Sequence, residues 1–555
     1  MFNPDPRKRR LPALLLPLTE PTYRRIWSAS LLSNFGQLVQ GVGAAWEMTR
    51  LTPAANMVAL VQTAMMLPLM VFALPAGAIA DMLDRRKVAL GGLAFAVAGA
   101  TALATFAFSG LLTPWTLLAF SFTIGCGAAF YGPAWQASVS EQVSAEHLPA
   151  AVALGSISYN VARSFGPAIG GLIVVAAGAG AAFGANAVLY LPLIVALLLW
   201  RRVHLPSRLP PERIDRGILA GVRYAMHSPP IRIVVVRTLF TALAGASISA
   251  LTPLVAKRLL GGDAGTYGLL LGAFGVGAVV GAMFIGQLRE RVAAETGVRL
   301  LAIANGAMII AIGFSRSLPL TLTALLISGA CWMLLIAMFN VGVQLSAPRW
   351  VTARALSCWS CAVTGGMALG AWGWGQVAAA HGTDIAMIAS GSVMMASPFL
   401  GLFLPMPRVS KPEQEMTQAR RDPEVALDLT LRSGPIVIEV DYRVEPGQAR
   451  EFYATMQDVR RGKLRSGAFE WSLARDIADP ELWTERYHCP TWGDFLRQRS
   501  RATQADLNNE HAASAYHIGS HEGRVRRRLE RPVGSVRWRA ETPDRGDEAM
   551  GIYAP

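Results

Sequence analysis

Charge is scarce in this chain. Only 16% of its 555 residues are Asp, Glu, Lys or Arg, against 52% hydrophobic, and the mean hydropathy is +0.36. An ordinary soluble domain is far less apolar, so a membrane is the expected solvent for most of the sequence. Cysteine is sparse too: Cys126, Cys331, Cys358, Cys361 and Cys489 are odd in number and scattered, which excludes a disulfide framework or a zinc pattern. Cys358 and Cys361 form a C-x-x-C string, but among small apolar residues, where packing is the expectation rather than redox or metal work. No small-residue cleavage site follows the basic "RKRR" and the Pro-rich "LPALLLPL" at 11 to 18, so this segment reads as an uncleaved lead-in. No nucleophile and base constellation stands out, and no acid sits in the middle of an apolar stretch. Neither a catalytic centre, a cofactor nor a metal is expected.

What is abundant is apolar sequence in long runs. Windows of about 18 to 25 residues, each enough to cross about 30 Å of hydrocarbon as a helix, recur about twelve times between Ile26 and Leu404. Their approximate limits are 26 to 46, 57 to 80, 88 to 108, 113 to 133, 150 to 175, 180 to 200, 231 to 255, 265 to 287, 298 to 314, 317 to 341, 353 to 378 and 383 to 404. The fold class that follows is an all-α polytopic membrane protein of twelve spans in two six-helix repeats, with an α+β domain after it.

The formal net charge is +14, yet the cations gather at span edges and along the tail, which fits anchoring at an anionic leaflet better than nucleic acid. Lys and Arg are dense in the lead-in, after span 2 (Arg85, Arg86, Lys87), after span 6 and after span 8; Arg50, Lys257, Arg258 and Arg316 are nearly all that the alternate loops hold. That bias puts both termini in the cytoplasm.

The domains expected are a cytoplasmic segment over 1–25, six-helix bundles over 26–200 and 231–404, and a cytoplasmic central loop over 201–230. A linker follows over 405–430, a small domain over 431–540 and a tail over 541–555. Within the central loop, Ile214, Ile218, Val222 and Ala225 share a helical face, the pattern of a helix lying on the membrane surface. The halves echo each other. "GAIADMLDRRK" from Gly77 is matched by "GQLRERV" from Gly286, and "AFYGPAWQ" around Phe130 by "MFNVGVQ" around Phe339, both 209 residues on (286 − 77 and 339 − 130). Two parallel repeats around a midplane cavity are a transporter architecture.

Past Leu404, "PIVIEVDYRV" alternates like a strand, and "EPGQAREFYATMQDVRRGK" places Ala449, Phe452, Tyr453, Met456 and Val459 on one helical face. "AFEWSLARDI" and "LWTERYHC" read as strands, "PTWGDFLRQRSRATQADLNN" as one helix and "GRVRRRLERPV" as a last strand. The order βαββαβ is that of a ferredoxin-like fold. His488, His511, His517 and His521 lack metal-ligand spacing, the last three sharing an expected loop, and read as solvated.

The stretch "GAIADMLDRRK" resembles the loop signature G-x-x-x-D-R-x-G-R-R of the major facilitator superfamily, matching at Gly77, Asp81, Arg85 and Arg86, with Met82 and Asp84 departing from it. "YRRIWSASLLSNFGQLVQ", "GPAWQASVSEQVSAEHLPAAVAL" and "NVARSFGPAIGG" are similar to the branch that includes bacterial enterobactin exporters, over roughly residues 20 to 405. That resemblance implies alternating access, proton-coupled export of a small amphipathic molecule such as a siderophore or drug, and a bacterial inner-membrane location. It implies a conformational gate of Gly77, Asp81, Arg85, Arg86 and Glu141. Gly77 is expected to let a neighbouring helix approach closely, with the alternative that these charges only anchor topology. Arg163, Gly166, Pro167, Gly170 and Gly171 resemble an exporter-associated motif, with Ala162 where its leading glycine would stand. Arg163 is expected to pair with Glu141 or an anionic substrate, or to snorkel.

Candidates for the substrate cavity are Asn34, Gln37 and Gln40 on span 1, Tyr131 on span 4, Asn160 on span 5, Asn340 on span 10 and Trp359 on span 11, each alternatively glue between helices. The tail resembles the dimeric α/β-barrel family that includes cofactor-free monooxygenases. It is read as an enzymatic, ligand-sensing or dimerising domain, so a homodimer is a candidate partnership alongside small molecule, protons and bilayer.

Overall fold

The computed structural model describes residues 13–144, 146–200, 222–348, 351–407, 425–427, 429–500, 502–519 and 524–530. By contact the chain divides into two compact units. The first holds Met1–Ile218, Ile233–Val341 and Leu356–Met406; the second holds Leu219–Arg232, Gly342–Ala355 and Pro407–Pro555.

Helices α1 (Pro21–Leu51), α2 (Ala55–Met82), α3 (Arg85–Phe108), α4 (Pro114–Ser138) and α5 (Leu148–Leu199) make the first half of unit one. Their starts follow capping chemistry. Pro21 and Pro114 occupy first-turn positions where a missing N–H costs nothing, and Thr113 and Thr116 cap α4 reciprocally. Asp84 caps α3, its carboxylate accepting the backbone N–H of Arg86 (2.9 Å) and Lys87 (3.3 Å). Spans 5 and 6 of the sequence reading run on as the single 52-residue α5, bent where Gly178 takes φ +78°, a conformation that a side chain would strain. The lead-in forms a short 3₁₀ turn over Ala13–Thr19 whose Leu15 and Leu18 pack on Tyr23.

The second half comprises α6 (Pro229–Leu254), α7 (Ala264–Arg291), α8 (Ala294–Phe314), α9 (Leu318–Ser346), α10 (Thr352–His381) and α11 (Thr383–Ala396), with short helical turns to Phe403. Among the described residues, nine stretches are long and apolar enough to cross a membrane, and the bent α5 supplies one of them. The first part of the surface helix expected in the central loop lies outside the described residues; 222–227 is helical.

Unit two carries a four-stranded antiparallel sheet. Strands β1 (Ile436–Arg443), β2 (Phe469–Arg475), β3 (Leu482–Cys489) and β4 (Val525–Leu529) lie in the order β2-β3-β1-β4. Register pairs Val440 with Glu485 and Ile438 with Tyr487 across β1 and β3, and Val440 with Val525 across β1 and β4. Helix α12 (Ala449–Arg465) lays Phe452, Met456 and Val459 on the sheet, leaving Tyr453 outside. The one helix expected over 490–509 is two, α13 (Trp492–Ser500) and α14 (Gln504–Ala515), because Thr503 and Asp506 form a capping box that starts a new helix. His511 lies on α14 rather than in a loop, and His488 is buried on β3 rather than solvated.

Candidate functional site

Arg85 and Arg86 sit in the first turn of α3, pinned by the Asp84 cap. Arg85 Nη1 donates to Glu141 Oε1 (3.0 Å) and to the Ala137 carbonyl (2.8 Å). Arg86 reaches the other way, donating from Nε to the Leu197 carbonyl (2.7 Å) and from Nη2 to that of Leu198 (2.6 Å), so one helix start clasps the ends of α4 and α5. Carbonyls at helix C-termini lack intrahelical donors, and guanidinium groups suit them in charge and number. Asp81 falls in the last turn of α2; its side chain lies outside the described residues. The close approach expected at Gly77 is absent: no described atom comes within 4 Å of where a Cβ would sit.

The second half repeats this clasp with the charges exchanged. Glu295, in the first turn of α8, accepts from Arg237 Nη1 on α6 (2.5 Å), from Arg299 Nε (2.7 Å) and from the Met406 backbone N–H (2.8 Å). Arg237, only 3% exposed, also donates to the Leu404 carbonyl (3.3 Å). Arg86 with Leu197 and Glu295 with Met406 are separated by the same 209 residues as the sequence echo (295 − 86 and 406 − 197). Sequence reasoning passed over Arg237 and Glu295; an arginine inside the apolar run "IRIVVVRTLF" was the available signal.

The two halves meet through small residues. A Cβ on Gly171 would lie 2.7 Å from the Ala264 carbonyl and 3.0 Å from Gly268 Cα, and one on Gly275 would lie 2.7 Å from the Arg163 carbonyl. Backbones at that separation gain dispersion contacts that larger residues forbid. On α1, Gly170 faces Val39 and Gly166 faces Leu38, while Pro167 is carried inside α5 and presents its carbonyl to Gly268. Across α2 and α10, Thr63 Oγ1 donates to the Ala368 carbonyl (3.0 Å) and Cys361 Sγ to that of Met70 (3.5 Å). Past Leu254 the chain widens into a π turn, Val255–Leu259, from which Lys257 and Arg258 donate to the carbonyls of Thr49 and Pro53. These contacts between the halves lie in the middle of the helices or toward the end opposite Arg85 and Glu295.

Arg163 does not pair with Glu141, which Arg85 holds; its guanidinium lies 5.6 Å from the Phe274 ring centroid in the other half. Asn34 Nδ2 donates to Ser158 Oγ (3.3 Å), and Asn160 bonds the Ser156 carbonyl of its own helix (2.9 Å). Gln37 and Asn340 are half-buried. Gln40 is buried and accepts from Asn186 on α5, a residue the sequence reading missed although it is a lone amide in the apolar run after Gly178. Four buried polar atoms here have no hydrogen-bond partner among the described residues: Gln40 Nε2, Asn186 Oδ1, Tyr131 Oη and Trp359 Nε1. Such groups are rare in folded proteins because each costs about 1–3 kcal/mol, and water or a ligand is the usual remedy.

Two halves of long apolar helices, each clasped at one end by an arginine and glutamate pair and joined by glycine seams, define a multi-pass membrane transporter of the major facilitator type. The chain belongs to the transmembrane secretion effector family, whose sequence pattern matches residues 13–533. It is 24% identical to the staphyloferrin A transporter of Staphylococcus aureus, over 47% of this chain and 65% of that protein, so the match spans under two thirds of that relative. It is 24% identical to the multidrug efflux pump Tap of Mycolicibacterium fortuitum (68% of this chain, 94% of the relative) and 26% identical to the enterobactin exporter EntS of Salmonella typhi (54% and 72%). The fold is similar to that of a bacterial homologue of the lysosomal transporter Spinster, with TM-score 0.56 and 15% identity over 70% of this chain and 97% of that one.

Proposed function

We propose that the chain exports a small amphipathic molecule, siderophore-like or drug-like, across the bacterial inner membrane by alternating access, with proton entry as the driving step and both termini in the cytoplasm. The observation that carries this reading is the seal at one end: the halves touch through the Gly171–Gly268 seam and through the Lys257 and Arg258 donors. With the arginine-rich end inside, that arrangement is closed outward and open inward. The twelve spans follow if α5 is counted twice at Gly178 and if α1 and α10, 31 and 30 residues long, also cross. The tail's strand order supports a ferredoxin-like reading.

Gln40, Tyr131 and Trp359, with Asn34, Gln37, Asn160 and Asn340, are assigned to the translocation path, where substrate or water satisfies the unpaired atoms. Proteoliposomes loaded with iron chelators and amphipathic dyes test the function. Efflux of at least one compound is expected, lost on adding an uncoupler; efflux indifferent to pH gradient and membrane potential would remove the coupling. Asp81, Arg85, Arg86 and Glu141 are assigned to the gate that closes the inner end. Asp81→Asn is accordingly expected to favour the outward-closed form and cut efflux in the same vesicles with insertion unchanged, and normal efflux would discard the gate.

A further inference from the structure

Arg163 and Arg237 both stand inside apolar helices, about two turns or more from an end. Arg237 has its acid, Glu295. Arg163 has none: among the described residues no carboxylate lies within ion-pair distance of it, and its guanidinium rests 5.6 Å from the centroid of the Phe274 ring on α7. An arginine keeps its proton in a protein, so the charge stays. It also stays deep. Arg163 is 15 residues past the start of α5 at Leu148 (163 − 148) and 15 before the bend at Gly178 (178 − 163), about 22 Å from either at 1.5 Å per residue. A three-carbon stem does not carry the guanidinium over that length to an interface. A bare cation at this depth of a bilayer is costly, and the usual remedies are an acid, a water-filled cavity or both.

The acids are elsewhere. Every Asp and Glu of residues 26–200 and 231–404 stands within about one turn of a helix end. On α1, Glu47 lies nine residues beyond Leu38, the neighbour of Gly166 (47 − 38), and takes Arg50. On α7, Asp263 lies 12 residues before Gly275, whose missing side chain admits the Arg163 carbonyl (275 − 263), and it caps its own helix through Thr266. Glu290 lies 15 beyond that glycine (290 − 275). At 1.5 Å per residue these separations are about 14 to 22 Å. Ahead of α5, Glu146 precedes Arg163 by 17 residues (163 − 146), and Glu141 belongs to Arg85.

Water has a path to Arg163 along one side of α5. The helix shows two exposed faces, which 3.6 residues per turn place on roughly opposite sides. Ile157, Val161, Phe165, Ile169 and Leu172 form one, all apolar, and it is the face for lipid. Val152, Ser156 and Tyr159 form the other, and Arg163 continues it at i, i+4, i+7 and i+11. Exposure on this second face falls toward the bend. Val152 is 57% and Tyr159 47% exposed, Arg163 is half-buried, and Gly166 and Gly170 are buried against Leu38 and Val39 of α1. Such a gradient is the wall of a narrowing cavity, with Arg163 where it closes.

We propose that Arg163 is the substrate-binding residue at the closed end of this cavity and that the substrates are amphipathic organic acids. A carboxylate forks onto the guanidinium, and the apolar body of the molecule lies along Phe274. The inference rests on the export reading and narrows it, because a neutral or cationic molecule leaves the buried charge unanswered.

The test uses the full-length chain in nanodiscs, with dansyl-phenylalanine as the amphipathic acid and its amide as a neutral control of the same shape. The acid is expected to bind about tenfold or more tighter than the amide, the size of one charged hydrogen-bonded contact. Arg163→Gln should abolish that preference while leaving the amide unchanged, and Arg163→Lys, which keeps the charge, should retain most of it. Phe274→Leu removes the ring and should keep the preference, which separates binding from packing. In a chain whose five native cysteines have been replaced, Tyr159→Cys should react with a membrane-impermeant thiol reagent and Ile157→Cys should not. The acid should slow that reaction and the amide should not, a readout that stands even where Arg163→Gln fails to fold. No preference for the acid in the unchanged chain, undiminished acid binding by Arg163→Gln, or an unreactive Tyr159→Cys would each overturn the assignment. Equilibrium binding needs no gradient. A chain that holds the acid through Arg163 yet moves no compound in vesicles would remove the export reading and leave this site, and efflux of neutral dyes without any preference for the acid would do the reverse.

Discussion

Glu295→Ala is expected to destabilise the purified chain by about 3–5 kcal/mol, the cost of leaving a buried charge without its partner. The charge is Arg237, 3% exposed on α6, and without Glu295 it keeps, among the described residues, the Leu404 carbonyl at 3.3 Å. The same substitution frees the Met406 N–H and releases Arg299, so three bonds are lost at once, one of them to the chain end after α11. Replacing both partners is expected to be far milder. Arg237→Met with Glu295→Leu removes two desolvated charges together, and apolar side chains fill the volume in a segment already surrounded by apolar residues. The measurement is the fraction of monodisperse protein surviving a heating series in detergent. A double variant as fragile as Glu295→Ala alone would show that the ion pair is not what holds these helix ends.

Gly171→Val carries the second large effect, on the cycle rather than on the fold. Its Cβ would meet the Ala264 carbonyl at 2.7 Å and Gly268 Cα at 3.0 Å, both backbone atoms that cannot turn aside. Overpacking of this kind costs about 1–3 kcal/mol, and here it burdens only the conformation in which α5 and α7 touch. A penalty of that size displaces the balance between conformations roughly 5- to 150-fold, away from the closed seam. Efflux is expected to fall accordingly, with helical content and detergent behaviour unchanged. The check is initial efflux rate together with distances between spin labels across the α5 and α7 ends. Normal rates would mean that the seam does not open during transport.

Much of this was legible from residues alone because it depends on local rules. Apolar runs and polybasic edges marked the long helices, and the period-two alternation of "LWTERYHC" marked β3 at its observed ends, Leu482–Cys489. The pairing of Arg85 with Glu141 came from the resemblance, and the distance between them agrees. What was missed depends on contacts that no window contains. Asp84 looked like a defect in a loop signature and is the cap that fixes α3. Arg237 and Glu295 stand 58 residues apart in sequence and meet only after α6 and α8 have packed. Asn186 pairs with Gln40 across 146 residues. The break at Thr503 was a capping signal overlooked inside an otherwise helical composition. Gly77 was assigned a close contact, and among the described residues no atom lies within 4 Å of where its Cβ would sit.

The account rests on the two halves parting and rejoining at the α5 and α7 seam in every turnover. Ala168 and Gly272 provide the direct test, since a Cβ on Gly272 would lie 3.6 Å from that of Ala168, within the span of a disulfide. In a chain whose five native cysteines have been replaced, Ala168→Cys with Gly272→Cys should cross-link on mild oxidation and stop efflux, and reduction should restore it. Efflux continuing at the same rate in fully cross-linked protein would contradict alternating access through this seam.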